Sequence, residues 1–174
     1  MGFRKVESNA FYFNPFKRIG RDWMLVTAGS EEGGVNTLTA CWGGLGNLWH
    51  KDAAFIFIRP SRYTYEFIEA NETFSLCFFP TEKAYKKMLA YMGSHSGRDG
   101  DKIKDQNLHV EFIEGTPVFA EAEVALICRR EYFLDFVGER IPAHEIKRFY
   151  SGEEEGDFHR FYAAEVTGIY QKEE

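Results

Sequence analysis

Short runs of β-branched and aromatic residues recur along this chain, each bounded by glycine, asparagine or charged residues. Runs that short bury both faces of a strand but are too brief for a helix of ordinary length. Ala53-Ala54-Phe55-Ile56-Phe57-Ile58 is the clearest, read as a strand buried on both faces, and Thr73 to Phe79 is a second. Trp23 to Ala28 reads as a strand, Ser30-Glu31-Glu32-Gly33-Gly34 as a turn and Val35 to Trp42 as the return strand of a hairpin. Val118 to Cys128 alternates with period two and Tyr132 to Val137 follows after a charged break, which predicts two strands. Phe158 to Tyr170 is strand-like again, with His159, Phe161, Ala163 and Glu165 on one face.

Helical signals are few. Ser61 is placed to cap a helix over Arg62 to Glu69, with Asn71 at its left-handed end. Thr81 is placed to cap a second, in which Ala84, Tyr85, Met88, Leu89 and Met92 recur at helical spacing until Gly93. At least seven strands and two or three short helices favour an antiparallel barrel over a doubly wound sheet. Phe, Tyr and Trp make up 17% of the 174 residues, an excess that suits large strand-borne contacts or a site built from flat rings. No repeat or linker divides the chain, so residues 1–174 read as one domain.

Several function classes are disfavoured. The net charge is -6 and no stretch concentrates Lys and Arg, so a nucleic-acid partner is not expected. The longest nearly apolar stretch is far short of a membrane span and no apolar leader opens the sequence, which points to a cytoplasmic protein with no membrane partner. Cys41, Cys77 and Cys128 are odd in number and lack a CxxC pair, so they read as reduced core thiols. Asp99-Gly100-Asp101 has Lys104 and Val110 where a calcium loop needs glycine and glutamate. His95, Asp99 and His109 have no metal-site spacing, and no metal is assigned. Gly43-Gly44-Leu45-Gly46 has Trp49 where a dinucleotide fingerprint needs glycine, and reads as a tight loop or a backbone approach to ligand. Glu153-Glu154-Glu155 reads as a solvated loop. There is no nucleophile elbow.

Two segments suit an anion. Ile58-Arg59-Pro60-Ser61-Arg62-Tyr63-Thr64 runs from a strand into a helix start with two guanidinium groups and two hydroxyls, although on local sequence alone capping by Ser61 with solvated arginines is slightly favoured. Ser94-His95-Ser96-Gly97-Arg98-Asp99-Gly100-Asp101-Lys102 can wrap phosphate, or can be a polar surface loop. Beside an aromatic-rich barrel, one ligand with a phosphate and a flat ring would use both.

These segments, with Asn36-Thr37-Leu38-Thr39-Ala40-Cys41-Trp42-Gly43-Gly44-Leu45-Gly46, stand in the order found in a known family. Over roughly residues 10 to 170 the chain resembles the flavin reductase-like proteins with an FMN-binding split barrel, which include flavoredoxins and the reductase components of two-component monooxygenases. The resemblance implies a mainly β, Greek-key split barrel with short peripheral helices, forming a homodimer with one FMN per subunit near the interface. It implies that Asn36, Thr37, Leu38, Thr39 and Ala40 line the isoalloxazine, with Trp42 and Gly43 shaping the adjacent wall. Arg59, Arg62, Tyr63 and Thr64 are implied to hold ribityl and phosphate oxygens with Ser96, Gly97, Arg98 and Lys102. Reductases of the family take NADH or NADPH as donor. Many carry Gly-Asp-His before the last strand; here it reads Gly156-Asp157-Phe158-His159, which makes His159 the candidate catalytic residue. The resemblance leaves open a flavoredoxin-like electron carrier serving a redox protein or monooxygenase partner, or a flavin- or heme-binding module without turnover.

Overall fold

The computed structural model describes residues 2–173. Ten strands form its framework: β1 (Phe3–Val6), β2 (Met24–Ser30), β3 (Gly34–Ala40), β4 (Gly43–Leu48), β5 (Lys51–Ile58), β6 (Thr73–Phe78), β7 (Val110–Ile113), β8 (Thr116–Phe119), β9 (Val124–Asp135) and β10 (Arg160–Lys172). The helices are short: α1 (Pro15–Lys17), α2 (Tyr63–Ala70), α3 (Lys83–Ser94), α4 (Lys102–Asp105) and α5 (Ala143–Phe149).

The main sheet has the order β3-β2-β6-β9-β10-β5-β4, with β1 also on β10, and every pairing is antiparallel. β10 organises it. Its whole length pairs with β9, while Arg160 to Glu165 pair with β5 and Ile169 to Lys172 pair with β1. β7 and β8 form a separate hairpin.

Period-two alternation sends residues of the central strands into two cores. Met24, Val26, Phe74, Leu76, Phe78, Leu126 and Cys128 face the barrel interior, joined by Ala54, Ile56 and Ile58 of β5 and Tyr162 of β10. Leu25, Cys77, Ala125 and Ile127 face the other way, under Met88, Leu89 and Met92 of α3 and Val118 and Phe119 of β8. Both faces of β2, of β6 and of β9 from Val124 to Cys128 are thereby covered, each fully buried large side chain contributing about 1.5–3 kcal/mol. The outer face of β5 is only half-buried: Phe55 stacks on Phe161 at 5.8 Å and Phe57 meets Phe136 and Phe161 at 5.6 Å.

Some local expectations are corrected. Ser61 does not cap α2; Arg62 holds the N-cap position, and the Ser61 hydroxyl donates to Asp157 instead. Asn71 ends α2 with an extended backbone and donates its side-chain amide to the Phe67 carbonyl. Glu82, not Thr81, precedes α3, which runs through Gly93 to Ser94. Val118 to Cys128 is broken at Glu121-Ala122-Glu123, and Tyr132 belongs to one continuous β9. Gly43 to Leu48 is the edge strand β4 and not a loop. Its glycines fit because a Cβ on Gly43 would lie 2.6 Å from the Phe55 carbonyl oxygen and the Phe55 ring passes over Gly44 and Gly46. Cys41 is exposed, whereas Cys77 and Cys128 are buried, where desolvation pushes both thiols up.

Candidate functional site

The exit from β3, the end of β5, the start of α2 and the segment leading into β10 converge on one groove. It consists of two cavities that share Leu38 and Arg62. The first, of about 240 Å³, has one wall from Leu38 to Trp42, a floor from Phe57 to Arg59, and Phe149 and His159 closing the third side. The second, of about 270 Å³, lies between Asn36, Thr64, Ser96, Gly97 and Lys102, and also receives Glu153, Glu154 and Asp157.

Hydrophobic anchoring fixes the backbone that presents these groups. Residues of β3 alternate, so Leu38 packs into the barrel core while Thr39 donates its hydroxyl to the Leu89 carbonyl of α3 at 2.5 Å. The Asn36 amide donates to Thr64 Oγ1 at 3.0 Å, which ties β3 to the first turn of α2. Gly97 lets the 94–102 loop come close: a Cβ there would sit 2.2 Å from Asn36 Oδ1.

Lys102 is 4% exposed, and its ammonium donates to the carbonyls of Met92 and His95 at 3.0 and 2.9 Å. Burial first and the nearby Arg62 second depress its pKa to about 8. Arg59 is 9% exposed; Nη2 donates to the Phe149 carbonyl at 2.7 Å and pairs with Glu154 at 2.8 Å, while its guanidinium lies 5.1 Å from the Tyr150 ring centre. Its Nη1 is buried with no hydrogen-bond partner among the described residues.

His159 is buried between aromatic groups, with Trp42 at 4.7 Å and a 2.7 Å hydrogen bond between Nδ1 and the Tyr150 hydroxyl. Desolvation, then the positive Arg59 and Arg62, outweigh Asp157 and push its pKa down to about 4, so the imidazole is neutral at pH 7. The extra Phe158 does not turn His159 away from the groove. Phe158 packs on Tyr150 at 5.1 Å, and a Cβ on Gly138 would meet its ring at 2.7 Å.

The groove therefore gathers Asn36, Leu38, Thr39, Ala40, Trp42, Arg59, Arg62, Tyr63, Thr64, Ser96, Gly97, Lys102 and His159. Three expected residues do not line it. The Thr37 hydroxyl is fully buried against Thr27 and donates to the Val26 carbonyl inside the sheet. Gly43 is paired with Ile56 in the β4–β5 ladder. Arg98 lies 4.7 Å over the Tyr63 ring, donates to the Ser61 carbonyl and pairs with Glu66. Conversely Cys41, Phe149, Tyr150, Glu153, Glu154 and Asp157 contribute to the groove without having been read as site residues. For the acidic group a signal existed, the Glu153 to Asp157 run, but its side chains find basic partners only through the fold.

A family model described as flavin reductase like domain matches residues 16–174. The chain belongs to this family. Among solved structures, this flavin reductase-like chain is similar to a flavoredoxin from Methanosarcina acetivorans, at 23% identity and TM-score 0.67, over 98% of this chain and 75% of that one. It is similar to an FMN-binding protein from Thermus thermophilus with bound p-hydroxybenzaldehyde, at 21% identity and TM-score 0.66, covering 86% and 71%. A third is the NADH:FAD oxidoreductase of Streptomyces globisporus C-1027, at 18% identity and TM-score 0.61, covering 87% and 74%. No curated protein matches the chain in sequence. The likenesses establish the split-barrel fold.

The donor set of this flavin reductase-like chain fits a flavin. The buried Arg59 Nη1 makes no hydrogen bond among the described residues, and the Arg59 side chain borders a cavity wide enough for flat rings. Among the described residues no carboxylate lies within ion-pair distance of the buried Lys102 beside Arg62, and an anion would relieve it. Among the described residues no group of three or more His, Cys, Asp or Glu is arranged to hold a metal ion, and no helix is long and apolar enough to cross a membrane.

Proposed function

We propose that this protein is an FMN-binding oxidoreductase that takes its electrons from NADH or NADPH. The observation that carries this reading is the adjacency of a ring-sized, aromatic-walled cavity and a second one with two cations, which have Leu38 and Arg62 as common walls. FMN, when bound, would supply a ring able to accept a hydride and pass electrons on.

On this reading the wall from Leu38 to Ala40 holds the ring, and Arg62, Thr64, Ser96, Gly97 and Lys102 hold the ribityl and phosphate end. Trp42 and Phe149, edge to face at 5.0 Å, keep water from the ring cavity. His159, neutral and held by Tyr150, would place no positive charge at the cavity wall to oppose a nicotinamide ring that becomes cationic as it gives up its hydride. The chain contributes orientation and exclusion of water more than acid–base chemistry. The name of the Streptomyces relative supports the donor assignment. Half-exposed Tyr132 and Leu134, together with Phe55, Phe57 and Phe161, supply an apolar face on β5, β9 and β10 for a homodimer.

Steady-state consumption of NADH and NADPH with added FMN tests the reading. Trp42→Ala and His159→Ala are expected to lower kcat/KM for the nucleotide by about tenfold or more with circular dichroism unchanged. If wild-type protein consumes neither nucleotide but is reduced by a small redox protein, it is an electron carrier and the reductase assignment fails.

A further inference from the structure

The hydrogen bonds around the second cavity show how much of its donor capacity is already engaged. Asp157 accepts from both the backbone N–H and the hydroxyl of Ser61, at 3.3 and 2.5 Å. Glu154 pairs with Arg59 at 2.8 Å, and Asp157 lies 4.0 Å from the same guanidinium. Arg62 donates to the Gly93 carbonyl at 3.3 Å and Lys102 donates to two carbonyls. Around this cavity stand two cations, Arg62 and Lys102, against three carboxylates, Glu153, Glu154 and Asp157. A phosphate monoester carrying about −1.5 to −2 charge must either displace those carboxylates or sit beside them, and like charges at such range oppose one another. At the ring cavity Arg59 Nη1 is buried without a hydrogen bond among the described residues, and the Asp157 carboxylate is 4.0 Å away.

We propose that Glu154 and Asp157 are specificity-determining residues that keep the hold on the flavin phosphate weak, so that flavin enters and leaves this groove as a substrate and not as a resident prosthetic group. The inference rests on the flavin reading above. Affinity then comes mainly from the ring and ribityl portions that FMN and riboflavin share, and the phosphate adds little. The acidic segment is the lever. Its carboxylates stand on the wall of the cavity assigned to the phosphate, where Asp157 also takes both donors of Ser61.

The test is equilibrium titration of wild-type protein, Asp157→Asn, Glu154→Gln and the double variant with FMN and separately with riboflavin, followed by quenching of flavin fluorescence. Asparagine and glutamine keep an acceptor for Ser61 and Arg59 while removing the charge. Wild-type protein is expected to bind FMN within about tenfold of riboflavin, and the double variant to tighten FMN by about tenfold or more while riboflavin changes less than about twofold. An FMN-to-riboflavin ratio that is the same in wild type and variants overturns the proposal, as does parallel loss of both ligands, which would make the carboxylates structural. If wild-type protein binds neither flavin, the flavin reading itself falls and takes this proposal with it.

Discussion

Acidification should destabilise this protein through His159 by an amount that can be worked out in advance. The imidazole has a folded pKa of about 4 against an ordinary value of 6.5, because it is buried between Trp42, Phe149 and Tyr150 and faces Arg59 and Arg62. The unfolded chain therefore binds a proton on this residue between pH 6.5 and 4 where the folded chain does not. Stability from keeping His159 neutral is full above pH 6.5 and is lost as pH falls toward 4; the loss is about 2 kcal/mol at pH 5 and about 3 kcal/mol at pH 4. Asp135, Glu114 and Glu165, held low by Arg160, by Tyr170 and Lys5, and by Lys51 respectively, also contribute acid sensitivity. A variant comparison removes that background. His159→Gln keeps a group that can hydrogen-bond Tyr150 but cannot titrate, so urea unfolding of both proteins at pH 7, 5 and 4 isolates the histidine. The gap between them should close by about 2 kcal/mol from pH 7 to pH 5. Parallel pH profiles would refute the reasoning and place the imidazole in contact with water.

Other outcomes follow from the same geometry. Lys102, with its pKa depressed to about 8, loses its charge between pH 7 and 9, so FMN affinity should fall severalfold, to a limit of about tenfold, while riboflavin affinity stays flat and Lys102→Gln abolishes the slope. Native protein should react with a thiol reagent at Cys41 alone, with FMN slowing the reaction because Cys41 lines the ring cavity, and Cys77 and Cys128 should react only after unfolding. Gly43→Ala forces a Cβ to within 2.6 Å of the Phe55 carbonyl oxygen and should cost about 1–3 kcal/mol in urea unfolding, leaving flavin affinity little changed because Gly43 lies outside the groove.

Strands whose burial is periodic were legible, and the two segments read as able to hold an anion, Arg59 to Thr64 and Ser94 to Lys102, do meet at one cavity. The hairpin from Met24 to Ala40 carries its own turn chemistry: the Ser30 hydroxyl accepts from the Gly33 N–H, and Gly29 is needed because a Cβ there would lie 2.1 Å from the Gly34 carbonyl oxygen. The β4–β5 hairpin has no such mark. Its two turn residues, Trp49 and His50, hold φ of 54° and 61°, a conformation for which asparagine and glycine are the usual signal. With three glycines on β4 as well, nothing local announced a strand.

Contacts distant in sequence were hidden for a related reason. Ser61 reads as a helix cap because local preference places it there, and only the folded chain brings Asp157, 96 residues away, to take both of its donors. Tyr150 carries no motif. It matters because α5 delivers it to His159 and Arg59. Family resemblance implied the residues of β3 as a block, but the fold buries the Thr37 hydroxyl against Thr27 and the Val26 carbonyl, away from the groove.

The most direct test of the account is an anaerobic visible spectrum of the protein with FMN, recorded before and after NADH and then NADPH. The account predicts that one nucleotide bleaches the flavin band on the timescale of turnover, and that His159→Ala slows the bleaching. A flavin that binds in the groove and is bleached by neither nucleotide would contradict it.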